Sequence, residues 1–166
     1  LDIDAVRAGF AAVTSPGRLE RMRSAPTVFI DAAHNPTGAA ALARGLEEEF
    51  DFGYLVGVVS IMADKDAAGI LAALEPVLDQ IVVTHNGSPR ALDVQALTLE
   101  AEERFGPERV IATDALPDAI EMATALVEEA GNEADGLGGM GGVGVVITGS
   151  VVTAGVARTL FGKDPA

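Results

Sequence analysis

The stretch that decides the fold, residues 27–38, reads TVFIDAAHNPTG. It joins a short apolar run, Thr27 to Ile30, to the start of an amphipathic helical pattern. Open α/β domains bind their ligands at such junctions, outside the carboxyl ends of their strands. The junction supplies a carboxylate, an imidazole and a carboxamide, and it places Pro36 where a helix tolerates the missing amide hydrogen. Folding alone does not require this mixture, so the stretch is a candidate site.

Apolar strands and amphipathic helices alternate on both sides of this stretch. The predicted strands are Val28–Ile30, Tyr54–Val59, Gln80–Thr84, Arg109–Ala112 and Gly144–Thr148. They are short and apolar on both faces, which is typical of strands covered by helices on each side. The repeated βα units predict an α/β, Rossmann-like domain, with a mostly parallel sheet and helices on both faces.

Stripes of apolar residues with a 3.6-residue period predict the intervening helices. The stripes are Ala39, Leu42, Ala43, Leu46 and Phe50; Ala67, Ile70, Leu71, Leu74 and Leu78; Val94, Leu97, Ala101 and Phe105; and Leu116, Ile120, Ala123 and Leu126. A last helix, Val151 to Phe161, is predicted after Ser150.

Two segments lack this pattern. Residues 1–26 contain a predicted helix, Ile3 to Val13, and then a Pro-Gly turn, so we expect a linker arm from another domain and no strand of the main sheet. Residues 27–166 form the predicted domain. Residues 131–142 are rich in glycine and are predicted to be a flexible loop. The GLGGMG within it matches a dinucleotide fingerprint literally, but it precedes a strand, which argues against that role.

Composition excludes several classes of partner and chemistry. Eleven Lys and Arg against 25 Asp and Glu leave a net charge of −14 on 166 residues, which disfavours nucleic acid and anionic membranes. The absence of Cys excludes disulfides and thiolate chemistry, and two His make a metal site improbable. No apolar run is long enough for a membrane span and the start is no signal peptide, so we expect a cytoplasmic protein.

Two features predict that this chain works with a missing partner. No G-x-x-x-x-G-K-[ST] motif occurs, so any ATP site must be shared with another domain. The chain begins at Leu1 without an initiating Met, which favours a fragment of a longer polypeptide. Polar residues nevertheless lie at or just past the carboxyl ends of the predicted strands, which share one edge of a parallel sheet: Asp31, Ser60, Thr84 with His85, Thr113, and Thr148 with Ser150.

Ordered motifs over nearly the whole chain carry a family resemblance. The motifs are SPGRLE at 15–20, DAAHNP at 31–36, ADKD at 63–66, SPRA at 88–91, and TGS at 148–150 with Ala157-Arg158 behind it. In this order they resemble the carboxy-terminal domain of bifunctional folylpolyglutamate synthase/dihydrofolate synthase, in the Mur ligase superfamily. Ser15 stands where the family often has an aromatic residue, and Ala32 replaces its usual glycine.

The resemblance implies roles for three residues. Asp31 would bond the sugar of the nucleotide, because a carboxylate accepts from hydroxyl groups. Arg18 would be the hinge arginine that reaches an ATP phosphate when the domains close. His34 would lie beside the incoming glutamate or the tetrahedral intermediate, where an imidazole donates to developing charge. Without the resemblance, Asp31 is a helix cap, Arg18 a solvated charge and His34 a loop histidine.

Four further residues have a structural and a functional interpretation. Ser150 caps the last helix or also contacts the glutamate carboxylate at the helix terminus. Asn35 caps the first helix or takes part in the site. Lys65 and Arg90 are solvated charges or anion contacts at the carboxyl edge, and the resemblance does not decide between these roles.

The resemblance implies an ATP-dependent ligase that joins L-glutamate to a folate, or to dihydropteroate, through an acyl phosphate. ATP and Mg²⁺ would be its cofactors, with the phosphate-binding loop and the metal site in an absent N-terminal domain of the same polypeptide. The isolated chain would then be inactive. Two alternatives stay open: another Mur-type amide ligase for peptidoglycan or cyanophycin, and a non-catalytic α/β binding or receiver-like domain.

Overall fold

The protein, described by a computed structural model over residues 17–136 and 141–164, is a six-stranded sheet with helices on both faces. The strands are β1 (Glu20–Ser24), β2 (Thr27–Ile30), β3 (Phe52–Val59), β4 (Gln80–Val83), β5 (Val110–Ala112) and β6 (Gly142–Thr148). The helices are α1 (Pro36–Glu49), α2 (Ala67–Leu74), α3 (Val94–Phe105), α4 (Leu116–Gly136) and α5 (Val151–Leu160).

The strand order is β1-β2-β6-β3-β4-β5, and every neighbouring pair is parallel except β1 with β2. The last strand in the chain therefore lies inside the sheet, between β2 and β3. This insertion sets the loop after β6 directly beside the loop after β2. The carboxyl ends of five strands share one edge, as the sequence predicts.

Alternation along the strands separates two hydrophobic cores. One face of the sheet packs against α1, α2 and α3, with Phe29, Val59 and Val146 pointing toward them. The other face packs against α4 and α5, with Ile30, Val58 and Ile147 on that side. Both faces are therefore covered, which explains why the strands are apolar at successive positions. No helix within the described residues is long and apolar enough to cross a membrane.

The five predicted strands are confirmed, with differences at their ends. Arg109 was predicted as the first residue of a strand, but it lies in a short 3-10 turn that precedes β5. The helical stripes are confirmed for α1, α2 and α3. In α4 the predicted Ile120 and Leu126 are only partly buried, and the neighbouring Ala119 and Val127 are the fully buried residues.

The expectation that residues 1–26 contribute no strand is wrong. Glu20–Ser24 forms β1, which pairs antiparallel with β2 from Glu20 opposite Ile30 to Ser24 opposite Thr27. The strand escapes hydropathy analysis because it is short, charged and at the edge of the sheet, where charged side chains protect an exposed edge. The predicted helix over residues 3–13 lies outside the described residues.

The predicted loop at 131–142 is also partly wrong. Helix α4 continues through Gly136, and β6 begins at Gly142. The last part of α4, from residue 131, has no apolar stripe, and for this reason the sequence pattern predicts a loop there. Gly131 still packs on the sheet: a Cβ there would lie 3.4 Å from a Val143 methyl group. The glycine thus allows a close helix-to-strand approach.

Candidate functional site

An open cavity of about 560 Å³ lies at the carboxyl edge of the sheet, beside the end of β2. The four predicted site residues that line it are Arg18, Asp31, His34 and Asn35. Val151, at the first turn of α5, completes the opposite side. The structure thus brings together residues that lie up to 133 positions apart in the chain. It does so because β6 is inserted beside β2.

Asp31 fixes the loop at the end of β2. Its carboxylate accepts from the Ala33 amide at 2.9 Å and from the Leu19 amide at 3.0 Å. Burial raises the pKa of the Asp31 carboxyl, while these two hydrogen bonds and the nearby Arg18 charge act to lower it. Asp31 does not cap α1, so the capping interpretation is wrong. Each carboxylate oxygen has a second lone pair for a ligand.

Arg18 lies in a tight turn that holds its backbone in place. Gly17 has φ of +73° and Leu19 has φ of +42°, so both residues around Arg18 are left-handed. Such a conformation is costly at a leucine and persists only where surrounding contacts support it. Here the Ala32 amide donates to the Gly17 carbonyl and the Leu19 amide donates to Asp31. The Arg18 side chain is exposed at the cavity.

His34 is half-buried, and its ring orientation follows from one hydrogen bond. Its Nδ1 lies 3.1 Å from the carbonyl oxygen of Ala32. A carbonyl only accepts, so Nδ1 carries the proton and Nε2 is the other ring nitrogen. In the neutral ring Nε2 accepts a hydrogen bond, and in the imidazolium form it donates one. His34 therefore offers the site a proton-transfer group of fixed orientation.

Asn35 is the N-cap of α1. Its Oδ1 accepts from the Gly38 amide at 2.7 Å, and Pro36 follows at the first helical position. This is a side-chain cap at a helix start that already lacks one amide hydrogen. The capping interpretation of Asn35 is confirmed. The cap also fixes His34, the preceding residue, at the cavity.

Ser150 is the N-cap of α5 and accepts from the Thr153 amide at 2.9 Å. Its side chain is only 1% exposed, and its oxygen also lies 2.7 Å from Thr153 Oγ1 and 3.4 Å from Asn86 Nδ2. The hydroxyl is therefore enclosed by the protein, and the helix start beside it faces the cavity through Val151.

Asn86 is a buried residue that the sequence reasoning missed. Its Nδ2 reaches Thr153 Oγ1 at 3.2 Å as well as Ser150, and its Oδ1 accepts from the Ser88 amide at 2.9 Å. It joins the loop after β4 to the start of α5. Its place directly after a predicted strand, next to His85, was the signal available in the sequence.

Lys65 and Arg90 lie away from the cavity. Lys65 is exposed in the turn before α2, where its amide donates to the Met62 carbonyl at 3.1 Å. Arg90 is exposed in the loop after β4, and its guanidinium is 3.9 Å from the Asp64 carboxylate. An exposed pair at this distance contributes little to stability. The structure does not bring either residue to the cavity of Arg18, Asp31 and His34.

The described residues also bear on metal binding. Among residues 17–136 and 141–164, no three His, Asp or Glu side chains gather in a way that would hold a metal ion. Two acidic residues, Asp31 and Glu49, line the cavity, and the Asp31 carboxylate is already engaged by two amides. The arrangement therefore suits hydrogen bonding to hydroxyl and phosphate groups more than metal coordination.

Comparison with known proteins agrees with this geometry. The chain is 70% identical over 166 residues to the dihydrofolate synthase/folylpolyglutamate synthase of Mycobacterium tuberculosis, covering 99% of this chain and 34% of that protein. A crystal structure of M. tuberculosis folylpolyglutamate synthase complexed with ADP and AMPPCP superposes with a TM-score of 0.89, at 70% identity, over 100% of this chain and 36% of the other.

A more distant structure, Escherichia coli FolC in complex with DHPP and ADP, superposes with a TM-score of 0.72 at 25% identity, over 96% of this chain and 34% of that one. The chain thus spans about a third of the length of the relatives it matches. The family model described as "Mur ligase, glutamate ligase domain" matches residues 17–136. With this match and this fold, the chain belongs to the Mur ligase family, as its glutamate ligase domain.

Proposed function

We propose that this chain is the carboxy-terminal domain of an ATP-dependent ligase that joins L-glutamate to the carboxylate of a folate or of dihydropteroate. One observation supports this most strongly: Arg18, Asp31 and His34, three groups suited to a nucleotide and an acyl-transfer reaction, line one open cavity. The chain has no phosphate-binding loop of its own. A cavity open on one side, with half of a nucleotide site, fits a domain that closes on a partner.

The nucleotide side of the cavity would use Asp31 and Arg18. The Asp31 carboxylate has lone pairs left to accept from the two hydroxyls of a ribose, and its loop is held in place by the amides of Leu19 and Ala33. The Arg18 guanidinium is planar and binds two phosphate oxygens at once. Both groups fit ATP, and the N-terminal part would contact the adenine and supply the phosphate-binding loop.

The acceptor side would use His34 and the start of α5. In the reaction, the folate carboxylate attacks the γ-phosphorus of ATP and ADP leaves. The glutamate amine then attacks the acyl carbon, loses a proton, and phosphate leaves. The neutral His34 ring accepts through Nε2 from the amine, and the protonated ring donates to the charge on the tetrahedral intermediate.

The glutamate carboxylate would approach the N-terminus of α5, where the backbone amides and the helix dipole favour an anion. Ser150, buried under this turn, would act on glutamate through the position of the helix start. Asn35 would act in the same way on His34. We assign Lys65 and Arg90 at most a peripheral anion contact, because neither lines the cavity.

The N-terminal part of the same polypeptide would supply the phosphate-binding loop and a Mg²⁺ ion that neutralises the phosphate charges. Mg²⁺ prefers carboxylate and phosphate oxygens in an octahedral shell, and the described residues of this chain do not gather such a set. This domain would contribute proximity and electrostatic stabilisation. We expect the enzyme in the cytoplasm, with small molecules as its other partners.

Two alternatives from the sequence are less well supported. The receiver-like domain does not fit the family match over residues 17–136. A peptidoglycan or cyanophycin ligase belongs to the same superfamily, but the relatives with high identity carry folate names. The sequence Ala32-Ala33-His34-Asn35 after Asp31 also favours the folate branch, because the peptidoglycan and cyanophycin ligases usually have Tyr-Ala-His after this Asp.

A chimaeric ligase tests the proposal. The N-terminal part of the M. tuberculosis relative would be joined to this chain in place of the 70% identical region. We expect ADP release that requires both L-glutamate and a folate or dihydropteroate. The authentic M. tuberculosis enzyme is the positive control. A chimaera that folds and releases no ADP in response to glutamate, beside an active control, contradicts the proposal.

The isolated chain gives a second, independent measurement. We expect it to bind ATP weakly and to show no turnover, because Asp31 and Arg18 supply only a few charge-assisted hydrogen bonds of about 1.5 to 3 kcal/mol each. Titration calorimetry measures this affinity. Micromolar binding by the chain alone would show that the nucleotide site is not shared.

A further inference from the structure

Glu20 and Arg158 form a buried ion pair behind the cavity. Among the described residues they are the charged residues with under a tenth of their surface exposed, at 7% and 9%. Arg158 Nη1 donates to both carboxylate oxygens of Glu20. The pair joins β1 to α5, 138 positions apart in the chain.

Such a pair is not explained by stability alone. Removing two charges from water is costly, and a buried ion pair is often replaced by apolar residues of similar volume without loss of stability. Glu20 does a second thing that an apolar residue cannot do: its Oε2 accepts from the Gly17 amide at 3.2 Å. The acceptor, and not the charge by itself, is therefore what the position requires.

The Gly17 amide is one of three points at which the turn around Arg18 is held. The Gly17 carbonyl accepts from Ala32, and the Leu19 amide donates to Asp31. Asp31 and Ala32 belong to the loop after β2, so two of the three bonds tie the turn to the cavity floor. The third bond ties it through Glu20 and Arg158 to α5, whose first turn lines the other side of the cavity.

We propose that Glu20 is a positioning residue for Arg18: its carboxylate, neutralised by Arg158, holds the Gly17 amide and so fixes the left-handed turn that presents the guanidinium to the ATP phosphates. This inference rests on the proposed function, since it assigns Arg18 to ATP. It adds a residue that does not contact the substrate and that acts through the backbone of its neighbour. Arg158 is the partner that makes a buried carboxylate tolerable at this position.

Two variants separate positioning from stability, and both are made in the chimaeric ligase. Glu20→Met with Arg158→Met removes both charges and the acceptor while filling the space. Because no charge is left unpaired, we expect the thermal midpoint to fall by less than in a variant that leaves one buried charge, with the remaining loss due to the Gly17 amide and the Asp164 carbonyl, which lose their partners. The ATP KM should rise at least fivefold, and the glutamate KM should change by less than twofold.

Glu20→Gln is the complementary variant. Its side-chain carbonyl still accepts from the Gly17 amide, so we expect the ATP KM to stay within about twofold of the parent. The thermal midpoint should fall, because Arg158 loses its charged partner in a buried position. The variant with the larger loss of stability is thus the one with the normal ATP KM, which a purely structural role of the pair does not predict.

The matched control is a second Glu–Arg pair, Glu75 with Arg109. Arg109 Nη1 lies 2.8 Å from Glu75 Oε1, near β5 at the opposite edge of the sheet from β1. Glu75→Met with Arg109→Met should lower the thermal midpoint and leave the ATP KM unchanged. Amide exchange at Gly17 gives a readout without catalysis: it should rise at least tenfold in the Glu20/Arg158 double variant and stay unchanged in the control.

The outcomes are distinct. A raised ATP KM in the Glu20/Arg158 double variant, with faster exchange at Gly17 and a normal Glu20→Gln, supports the proposal. A normal ATP KM in the double variant overturns it, as does a Glu20→Gln enzyme with the same KM defect. If the parent chimaera shows no glutamate-dependent turnover while the M. tuberculosis enzyme does, the proposed function fails, and a raised exchange rate at Gly17 still measures the backbone anchor.

Discussion

Two turns of this domain begin with a left-handed glycine and carry an arginine, and the two arginines are used in opposite ways. Gly106, with φ of +77°, precedes the turn of Arg109, which donates to Glu75 and to the carbonyls of Leu78 and Asp79. Gly17, with φ of +73°, precedes Arg18. In that turn the backbone makes the hydrogen bonds and the guanidinium is exposed at the cavity.

The difference separates a cation whose donors are used within the domain from one whose side chain is left available to a ligand. The Arg109 guanidinium also lies 4.8 Å from the Phe105 ring, so most of its donors and one of its faces are occupied within the domain. A side chain used as an anchor leaves little for a ligand. A turn anchored by its backbone leaves its side chain available, and Arg18 is of this kind.

The largest expected effect concerns His34, and it tests whether the catalytic group lies at the cavity that Arg18 lines. His34→Ala in the chimaeric ligase should lower kcat by about a hundredfold or more, the scale seen when one preorganised catalytic group is removed. The thermal midpoint should barely move, since a half-buried loop residue contributes little to the core. Steady-state kinetics and a melting curve on the same sample measure both.

His85 is the matched control, because it lies after β4 and its Nδ1 accepts from the Gly87 amide at 3.0 Å. His85→Ala should keep a normal kcat. A hundredfold loss in both variants, or a His34→Ala loss that unfolding accounts for, would return His34 to the role of a loop histidine.

The next effect tests the two arginines directly. Arg18→Ala should lower kcat/KM for ATP by about tenfold or more, the loss of one charge-assisted contact of about 1.5 to 3 kcal/mol, with a normal thermal midpoint. Arg109→Ala should do the reverse, with a midpoint lower by roughly several degrees and normal kinetics. Equal kinetic losses in the two variants would end the distinction between these turns.

A smaller effect is expected at the start of α5. Ser150→Ala removes an N-cap worth about 0.5 to 2 kcal/mol and should raise the glutamate KM a few-fold, because the helix start that it caps would bind glutamate in the ground state, and a ground-state interaction affects binding more than chemistry. Asp93 caps α3 in the same way, accepting from Ala96 at 3.1 Å. Asp93→Ala should lose similar stability with an unchanged glutamate KM. A Ser150→Ala enzyme with a normal glutamate KM would leave Ser150 only its capping role.

The smallest effect is a pH dependence at Asp31. Burial raises its pKa above 3.8, so protonation favours the folded state. The contribution of Asp31 to stability is therefore present below the unfolded-state pKa and is lost as the pH rises through the folded-state pKa. Relative to Asp31→Asn, the wild-type chain should lose stability over that window. Chemical unfolding of both chains across the acid range measures this change. A wild-type chain that gains stability relative to Asp31→Asn as the pH rises would contradict the prediction.

The sequence predicted those parts of the fold that depend on periodicity. Five strands and the core faces of three helices follow from apolar spacing, and the position of Asp31, His34 and Ser150 follows from where the strands end. Strand β1 was missed because its charged residues carry no period-two pattern. The far end of α4 was missed because a helix that extends past the sheet needs no apolar stripe.

Four of the predicted site residues, Arg18, Asp31, His34 and Asn35, line the cavity, but the contacts that support them were not predicted. Polar residues at strand ends are visible in a sequence, and the resemblance assigned them roles. Asn86 and the pair of Glu20 with Arg158 act through contacts across 67 and 138 positions. No local pattern reports such a contact, because each partner alone resembles an ordinary polar residue near a turn.

The position of β6 has a consequence for the order in which the domain is made. Without residues 142–148 the ladders that remain join β1 to β2, β3 to β4 and β4 to β5, and no ladder joins the first pair of strands to the other three. The sheet therefore becomes continuous only when the last strand is available, and this long-range pairing is of the kind that slows folding. The cavity is also completed last, because Val151, which lines it, follows β6 in the chain.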